Sequence, residues 1–441
     1  MLNGLFVVVV VTSVLLAAAT GRMEAVTQAL IDSARDAVTL AIGLVGVMAF
    51  FLGLMRVAED GGLMRRLASA LGPVMKRLFP GIPPDHPAMS AMILNISANM
   101  LGLGNAATPF GIRAMEQLDT LNSEKGTASN AMVLFLAINT AGLAILPTGV
   151  IGLRASLGSN DAAGILFPTW IASGTATLVG ILAATLLCKL PRYRNTEPQT
   201  ITSAPSTIGD RLVEAEESIK PTALRRWAVW IFWFVFFAFL VRYLNSSSWN
   251  LFSLNQELNP DDDFVTLVRS TLSFWMLPAL VAGLTLYGWQ RGVRVYDSLV
   301  AGAKQGFDVA LRIIPYLVAI LVAIGMLRAA GGIEWLALLL TPFTSLIGMP
   351  AEALPMAVLR PLTGSGAFGV MAEAMNTHGA DSLVGYMVST FQGSTETTFY
   401  TLAVYFGAIG IVKTRHALPA CLLADIAGIL AAVTIVNLMF G

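Results

Sequence analysis

Residues 95–109 of this chain read NISANMLGLGNAATP, and residues 360–369 read RPLTGSGAFG. Both stretches place glycine, proline and polar residues within long apolar surroundings. An unpaired backbone group in hydrocarbon costs several kcal/mol, so a non-helical segment persists there only beside protein or a water-filled cavity. Paired discontinuities in the two halves of a membrane protein are typical of a transport site. We therefore predict one helix break in each stretch.

The composition is that of an integral membrane protein. Of the 441 residues, 56% are hydrophobic and only 12% are charged, whereas a soluble domain usually carries about 25% charged residues. Apolar runs that approach the length of a membrane span lie at residues 2–20, 37–55, 131–153, 165–187, 227–243, 264–289, 309–327, 383–412 and 417–440. The zero net charge gives no reason to expect nucleic acid as a partner. The expected partners are the lipid bilayer, a small-molecule solute and a second copy of the chain.

An internal duplication is predicted from ordered matches between residues 23–190, called half A, and residues 295–441, called half B. The triplets at 71–73, 87–89 and 114–116 match those at 340–342, 355–357 and 371–373, and the glycine-rich stretches coincide between them. Membrane helices also resemble one another by composition alone, but ordered coincidence of Pro, Gly and Glu favours a true duplication.

The positions of the basic residues predict the orientation. Basic clusters occur at Arg65, Arg66, Lys76, Arg77, Arg192, Arg194, Arg225, Arg226, Arg291, Arg294, Lys304, Lys413 and Arg415. All of them fall on the cytoplasmic side, and the acidic segment 245–263 falls outside, if each glycine-rich stretch is a re-entrant hairpin. Half B is then inverted relative to half A. The predicted fold is an all-α polytopic protein of the bacterial cytoplasmic (inner) membrane, with two inverted-topology repeats and re-entrant helical hairpins.

The predicted domains are a first membrane repeat at 1–190, a cytoplasmic linker at 191–226, bridging transmembrane helices at 227–294 and a second repeat at 295–441. The linker is rich in Ser, Thr, Pro and charges, with a short helix expected at 209–219. The basic amphipathic stretch 63–79 predicts a helix that either lies on the cytoplasmic surface or packs against the bundle. Asp85 is expected to cap the helix that follows it.

Longer motifs resemble a known family. Half A contains FPGIPPDHPAM at 79–89 and NMLGLGNAATPFGIRAMEQLD at 99–119, and is similar to spore maturation protein A. Half B contains LRPLTGSGAFGVM at 359–371, NTHGADS at 376–382, QGSTETTFYTLAVYFGAIGI at 392–411 and KTRHALPA at 413–420, and is similar to spore maturation protein B. The chain looks like a fusion of the two. The resemblance to these nucleoside-recognition "Gate" membrane domains, also found in concentrative nucleoside transporters, implies inverted repeats with re-entrant hairpins but no particular substrate.

Polar residues of half A are candidates for lining a solute site. Asn95 and Asn99 are four residues apart and lie on one helical face, where they either line the site or join helices through hydrogen bonds. The other candidates in this half are Asn105, Thr108, Asn139 and Thr140.

In half B, Thr363 and Ser365 supply hydroxyls at the break. Arg360 at this depth must be paired or must meet an anion. It could bind a carboxylate or phosphate of the solute, or form a structural ion pair with Glu352, Glu373 or Glu396.

The most polar stretch within an apolar segment runs from residue 392 to residue 398. Gln392, Ser394 and Thr395 are candidate solute ligands. Glu396 and Thr397 are candidates for coupling to Na⁺ or H⁺, because an acidic residue in a membrane segment is a functional candidate. The alternative is a protonated Glu396 hydrogen-bonded to a neighbouring helix. No cofactor is expected.

Two functions fit these observations. The first is a secondary transporter or facilitator of a small polar or anionic solute, nucleoside-like by the resemblance alone, with access alternating around the two breaks. The second is a non-transporting scaffold or assembly factor for the envelope or spore, in which the breaks are packing devices. An enzyme is not expected, because no catalytic set occurs at credible positions.

Overall fold

A computed structural model describes residues 2–101, 104–198, 223–244, 264–332, 335, 342 and 344–441. The predicted helix at 209–219 and the acidic segment 245–263 lie outside these residues. Within them the secondary structure is helical, apart from one isolated β-bridge between Thr127 and Lys413.

The helices up to the linker are α1 (Leu2–Thr20), α2 (Met23–Asp60), α3 (Leu63–Leu78), α4 (Pro87–Met100), α5 (Gly104–Thr120), α6 (Asn130–Thr140), α7 (Thr148–Ser156), α8 (Leu166–Leu187) and α9 (Pro191–Arg194). Those after it are α10 (Ala223–Leu244), α11 (Phe264–Gln290), α12 (Val295–Ala329), α13 (Leu354–Leu359), α14 (Gly364–His378), α15 (Leu383–Ser394), α16 (Thr398–Ala408) and α17 (Ala417–Phe440). Short 3₁₀ turns at Ser345–Ile347 and Ala351–Ala353 precede α13.

Three helices of the described residues, α2, α8 and α17, are long and apolar enough to cross a membrane by length and composition. This confirms the prediction of a membrane protein.

Two apolar runs that we interpreted as spans are broken in the structure. The run 131–153 divides into α6 and α7, and the run 383–412 divides into α15 and α16. The first break contains Gly142, whose φ of +57° is unfavourable for other residues, and ends at Pro147. The predicted breaks are also shorter than the stretches that indicated them, because helix continues to Met100 and resumes at Gly104 in half A, and only residues 360–363 separate α13 from α14.

The order of helices and breaks in half A recurs in half B. The series α4, α5, α6, α7 and α8 corresponds to α13, α14, α15, α16 and α17. The last helices of the two series, α8 and α17, pack on each other in antiparallel direction. A Cβ on Gly180 of α8 would lie 3.2 Å from the Ala424 Cβ of α17, and one on Gly428 would lie 3.0 Å from the Ala176 Cβ. Each helix thus places two small residues, four positions apart, at the point where the two helices cross closely.

The long helices α2 and α12 pack in the same antiparallel way. Gly53 of α2 lies against the backbone of Leu299, near the start of α12, while Gly325, near its end, lies against Ser33. The first and last helices of each half therefore form two pairs that join the halves.

The segment before α4 corrects one prediction and decides another. The N-cap of α4 is His86 and not Asp85, since the Ala88 amide donates to His86 Nδ1 at 3.2 Å. Burial lowers the pKa of His86, which keeps the imidazole neutral and able to accept. The amphipathic stretch 63–79 forms α3, whose buried Met75 packs in a cluster with α4 residues such as Met89. Packing against the bundle is thus the alternative that the structure supports.

Candidate functional site

In half A the two breaks touch each other. The Ile145 amide, between α6 and α7, donates to the Met100 carbonyl at the end of α4 at 2.8 Å. Next to Met100, Asn99 Nδ2 donates to Asn139 Oδ1 at 2.8 Å. The first bond satisfies a backbone carbonyl at the end of α4, where carbonyls have no intrahelical partner. The second bond joins the side chains of α4 and α6.

Half B repeats this arrangement. The Phe399 amide, in the first turn of α16, donates to the Pro361 carbonyl at 3.0 Å. Thr363 is the N-cap of α14, and its Oγ1 accepts from the Gly366 amide at 3.1 Å, as is usual for a threonine before a helix. Each half therefore joins its glycine-rich break to its second break through one backbone hydrogen bond.

Arg360 lies in the break of half B and is only 3% exposed. Its guanidinium donates to Thr397 Oγ1 at 3.0 Å, to the Gln392 carbonyl at 3.2 Å and to the Thr395 carbonyl. It also pairs with Glu396 Oε2 at 3.6 Å. The cation thus occupies the C-terminal end of α15, where the helix dipole is negative and carbonyls have no intrahelical donors. Of the carboxylates considered for Arg360, the structure selects Glu396.

The two halves meet at their second breaks. The Glu396 amide donates to the Thr140 carbonyl at the end of α6 at 2.8 Å. A Cβ on Gly142 would lie 3.0 Å from Glu396 Cγ. The backbone of half A at Thr140 and Gly142 is therefore in close contact with Glu396, the candidate coupling residue.

Tyr405 of α16 extends this contact. Asn95 Nδ2 donates to its hydroxyl at 3.1 Å, and the hydroxyl donates to Asn139 Oδ1 at 3.3 Å. A Cβ on Gly111 would lie 2.2 Å from the Tyr405 hydroxyl, so glycine at this position of α5 makes room for the ring. Polar groups of both halves thus form one network around the breaks.

The structure places the candidate residues at different depths. Those with buried side chains are Asn95, Asn139, Thr140, Arg360, Thr363, Ser394, Thr395 and Thr397. Asn99, Thr108, Ser365 and Gln392 are half-buried, whereas the Glu396 side chain is 56% exposed. The Asn105 side chain lies outside the described part of the chain. The hydroxyls of Ser394 and Thr395 donate to the Phe391 carbonyl of their own helix, at 3.4 Å each, so in this arrangement they cap the end of α15.

A buried cluster at one end of the bundle joins the halves through Arg154 of α7, which is fully buried. It donates to the Ala380 carbonyl at 2.6 Å, to the Asp161 carbonyl at 3.0 Å and to Asp381 Oδ1 at 2.9 Å. The guanidinium carbon also lies 4.2 Å from the centre of the Tyr386 ring. We call these residues the Arg154 clasp.

A second cluster at the other end of α8 and α17 has the corresponding arrangement. Arg415 donates to the Ala128 carbonyl at 3.0 Å, to Asn130 Oδ1 at 2.8 Å and to the Tyr193 carbonyl. Burial, and next the charge of Arg415, lower the pKa of the adjacent His416 to about 4, so this histidine is neutral at physiological pH. Arg154 of half A thus holds the loop between α14 and α15 of half B, and Arg415 of half B holds the corresponding loop between α5 and α6 of half A. We call the second cluster the Arg415 clasp.

Sequence reasoning did not single out Arg154, Tyr405 or Asp425, whose Oδ2 accepts from the Thr398 hydroxyl at 2.7 Å beside the breaks. Asp425 is the single charged residue of the apolar helix α17, and an acidic residue in a membrane segment is itself a signal. Arg154 lies one residue beyond the predicted run 131–153. Tyr405 gave no signal, because a tyrosine in an apolar helix is ordinary.

Comparisons with known proteins agree with this architecture. The Gate family model, described as nucleoside recognition, matches residues 41–157 and 310–412, which include the two glycine-rich breaks. No solved structure matches the chain.

Two curated relatives are matched over nearly their whole lengths. Spore maturation protein B of Bacillus subtilis (strain 168) is 46% identical over 170 residues, which cover 38% of this chain and 96% of that protein. Spore maturation protein A of the same organism is 39% identical over 194 residues, which cover 44% of this chain and 97% of that protein. The inner membrane protein YjiG of Escherichia coli (strain K12) is 32% identical over 96 residues, which cover 22% of this chain and 61% of that protein. The chain therefore belongs to the Gate family of membrane proteins, and it unites in one polypeptide the similarity to spore maturation proteins A and B.

Proposed function

We propose that this protein is a transporter or facilitator of a small polar or anionic solute in the bacterial inner membrane. The observation that carries the proposal is the meeting of broken helices from both halves around Arg360, Glu396 and Tyr405. Helix ends within a bilayer expose backbone donors and acceptors to which a solute or ion can bind. A membrane protein that needed only a stable bundle would not require an arginine and a carboxylate at this place.

The two halves act as inverted-topology repeats in this proposal. The antiparallel pairs α2 with α12 and α8 with α17 support it, as does the recurring order of breaks. The pairs α4–α5 and α13–α14 are then the re-entrant hairpins. The basic residues around Arg415 lie on the cytoplasmic side and the Arg154 clasp lies on the opposite side.

The clasps suggest how access alternates. Because each arginine joins the two halves at one end of the bundle, releasing one while the other holds would open the breaks to one side at a time. The network around Tyr405 then corresponds to a closed state, in which the breaks contact each other directly.

A nucleoside-like solute rests on the description of the Gate family, so uptake of nucleosides tests that part of the proposal. In proteoliposomes of the full chain with an inward gradient of Na⁺ or H⁺, we expect tritiated uridine or adenosine to accumulate above the level of protein-free liposomes. Glu396→Gln should remove this accumulation, because it leaves the buried Arg360 at the breaks without its carboxylate partner. Glu59→Gln is the matched control. Glu59 pairs with Arg56 at a distance of 3.4 Å, and this pair lies away from the breaks. Absence of uptake for both nucleosides would contradict the nucleoside assignment.

A scaffold for envelope or spore maturation is the second candidate. It is favoured by the aromatic face of α10, where Trp227, Trp230 and Phe234 are each at least two-thirds exposed, and which suits another membrane protein as well as lipid. The names of the spore maturation relatives are in keeping with it. In this function the breaks would stay closed to water throughout.

A further inference from the structure

The buried carboxyl of Asp425 lies beside the breaks and has no role in the account so far. Asp425 is 2% exposed, in the middle of the apolar helix α17. An ionised carboxylate is expensive in such surroundings unless it is paired or hydrogen-bonded. The group therefore needs either a cation or a proton.

The hydrogen bonds of Asp425 are too few for a stable buried anion. Oδ2 lies 2.7 Å from the Thr398 hydroxyl, in the first turn of α16. Oδ1 has no hydrogen-bond partner among the residues that the structure describes. A hard metal cation takes about six oxygen ligands, whereas one hydroxyl is what the described neighbours offer here.

The charges around Asp425 do not balance if every group is ionised. Arg360 and Glu396 lie near enough to interact with it electrostatically, and the thiol of Cys421 lies one turn before it. Arg360 already pairs with Glu396 at 3.6 Å, so one guanidinium faces two carboxyl groups. Of the other helices packed against α17, α15 carries Tyr386, which belongs to the Arg154 clasp, α16 carries Tyr400 and Tyr405, and α11 carries Arg269 and Tyr287. The helices α6 and α8 carry no ionisable side chain. A proton on Asp425 leaves Arg360 and Glu396 as a balanced ion pair.

The turns of α17 that flank Asp425 contact the second break of each half. The thiol of Cys421, four residues before it, interacts with Thr140 at the end of α6. Gly428, three residues after it, faces Thr395, whose Cγ2 would be 2.8 Å from a Cβ at that position. Any separation of the breaks would therefore change the surroundings of this carboxyl.

We propose that Asp425 is the proton-binding coupling group of the transporter, an inference that rests on the proposed function. In the closed arrangement its carboxyl carries a proton, while Arg360 neutralises Glu396. When the breaks separate and water enters, the O–H bond of the carboxyl breaks and the proton passes to water. The carboxylate is then stabilised by Arg360 and by the positive N-terminal end of α16. Glu396, which is largely exposed and paired with Arg360, is then not the proton carrier that the sequence suggested.

Infrared spectroscopy of the full chain in lipid nanodiscs tests the protonation directly. At neutral pH we expect the carbonyl-stretch band of a protonated carboxyl in the wild-type protein. The band should shift when aspartate is labelled with ¹³C at its side-chain carboxyl, and it should disappear in Asp425→Asn. Glu396→Gln is the matched control and should keep the band. A band that does not shift with the label, or that remains in Asp425→Asn, would overturn the proposal. The labelling experiment uses the wild-type sequence and so does not depend on the folding of a variant.

Uptake measurements separate this inference from the proposed function. In proteoliposomes, accumulation of tritiated uridine driven by an inward proton gradient should be lost in Asp425→Asn. If the band is present and no uptake occurs in any preparation, the proton site stands and the transport proposal fails. If uptake occurs but the label-sensitive band is absent, transport stands and the assignment of Asp425 is wrong.

Discussion

Arg154→Met is expected to lower the free energy of unfolding by about 1–3 kcal/mol, the usual cost of leaving a buried hydrogen-bond acceptor without its donor. The substitution leaves Asp381 without its cation and removes the donor to the Ala380 carbonyl. Methionine roughly preserves the apolar volume, so the loss reports the polar contacts. Titration of the purified protein with a denaturing detergent measures the effect.

The matched control is Arg294→Met, because the Arg294 side chain is 88% exposed in its pair with Asp297. An exposed pair of this kind contributes between zero and about 1 kcal/mol. Arg415→Met should fall between the two, since Arg415 is half-buried. A loss at Arg154 no larger than that at Arg294 would show that the Arg154 clasp does not hold the halves together.

Arg360→Gln is expected to reduce uptake of tritiated uridine by proteoliposomes to the level of protein-free liposomes. Glutamine cannot neutralise Glu396. It also cannot donate hydrogen bonds to the Gln392 carbonyl, the Thr395 carbonyl and Thr397 Oγ1 at the same time. Arg360→Lys should fail as well, because an ammonium lacks the planar fork that reaches several acceptors at once.

Arg328→Gln separates lost transport from lost stability. Arg328 pairs with Glu373 in the same half, away from the breaks. Its loss should lower stability while uptake persists. Uptake by Arg360→Gln at the wild-type rate, in protein shown to be folded, would remove Arg360 from the site.

The glycine and proline content of residues 95–109 and 360–369 was enough to predict one break in each half. The break at 141–147 was missed because its run is mostly apolar, and the polar residues 392–398 were interpreted as a site within a span and not as the end of a helix. Tertiary contacts break these helices: the Thr140 carbonyl bonds to the Glu396 amide of the other half, and Arg360 takes the Thr395 carbonyl.

Partners far apart in sequence could not be predicted either. Arg154 and Asp381 are 227 residues apart, and no local pattern links them. For Arg360 the sequence narrowed the choice to three carboxylates, and only the fold selects Glu396. Asp425 differs, because its charge within an apolar span was visible in the sequence and was overlooked.

Access of water to the breaks is the central claim, and thiol labelling tests it most directly. In a background with Cys188→Ser and Cys421→Ser, single variants Ser365→Cys and Asn105→Cys are treated in membranes with a membrane-impermeant maleimide applied from either side. Lys413→Cys, at an exposed position, and Ala420→Cys, at a fully buried one, set the upper and lower limits of labelling. We expect both break variants to react well above the Ala420→Cys level. Labelling as low as that of Ala420→Cys from both sides would contradict transport and leave the scaffold function in its place.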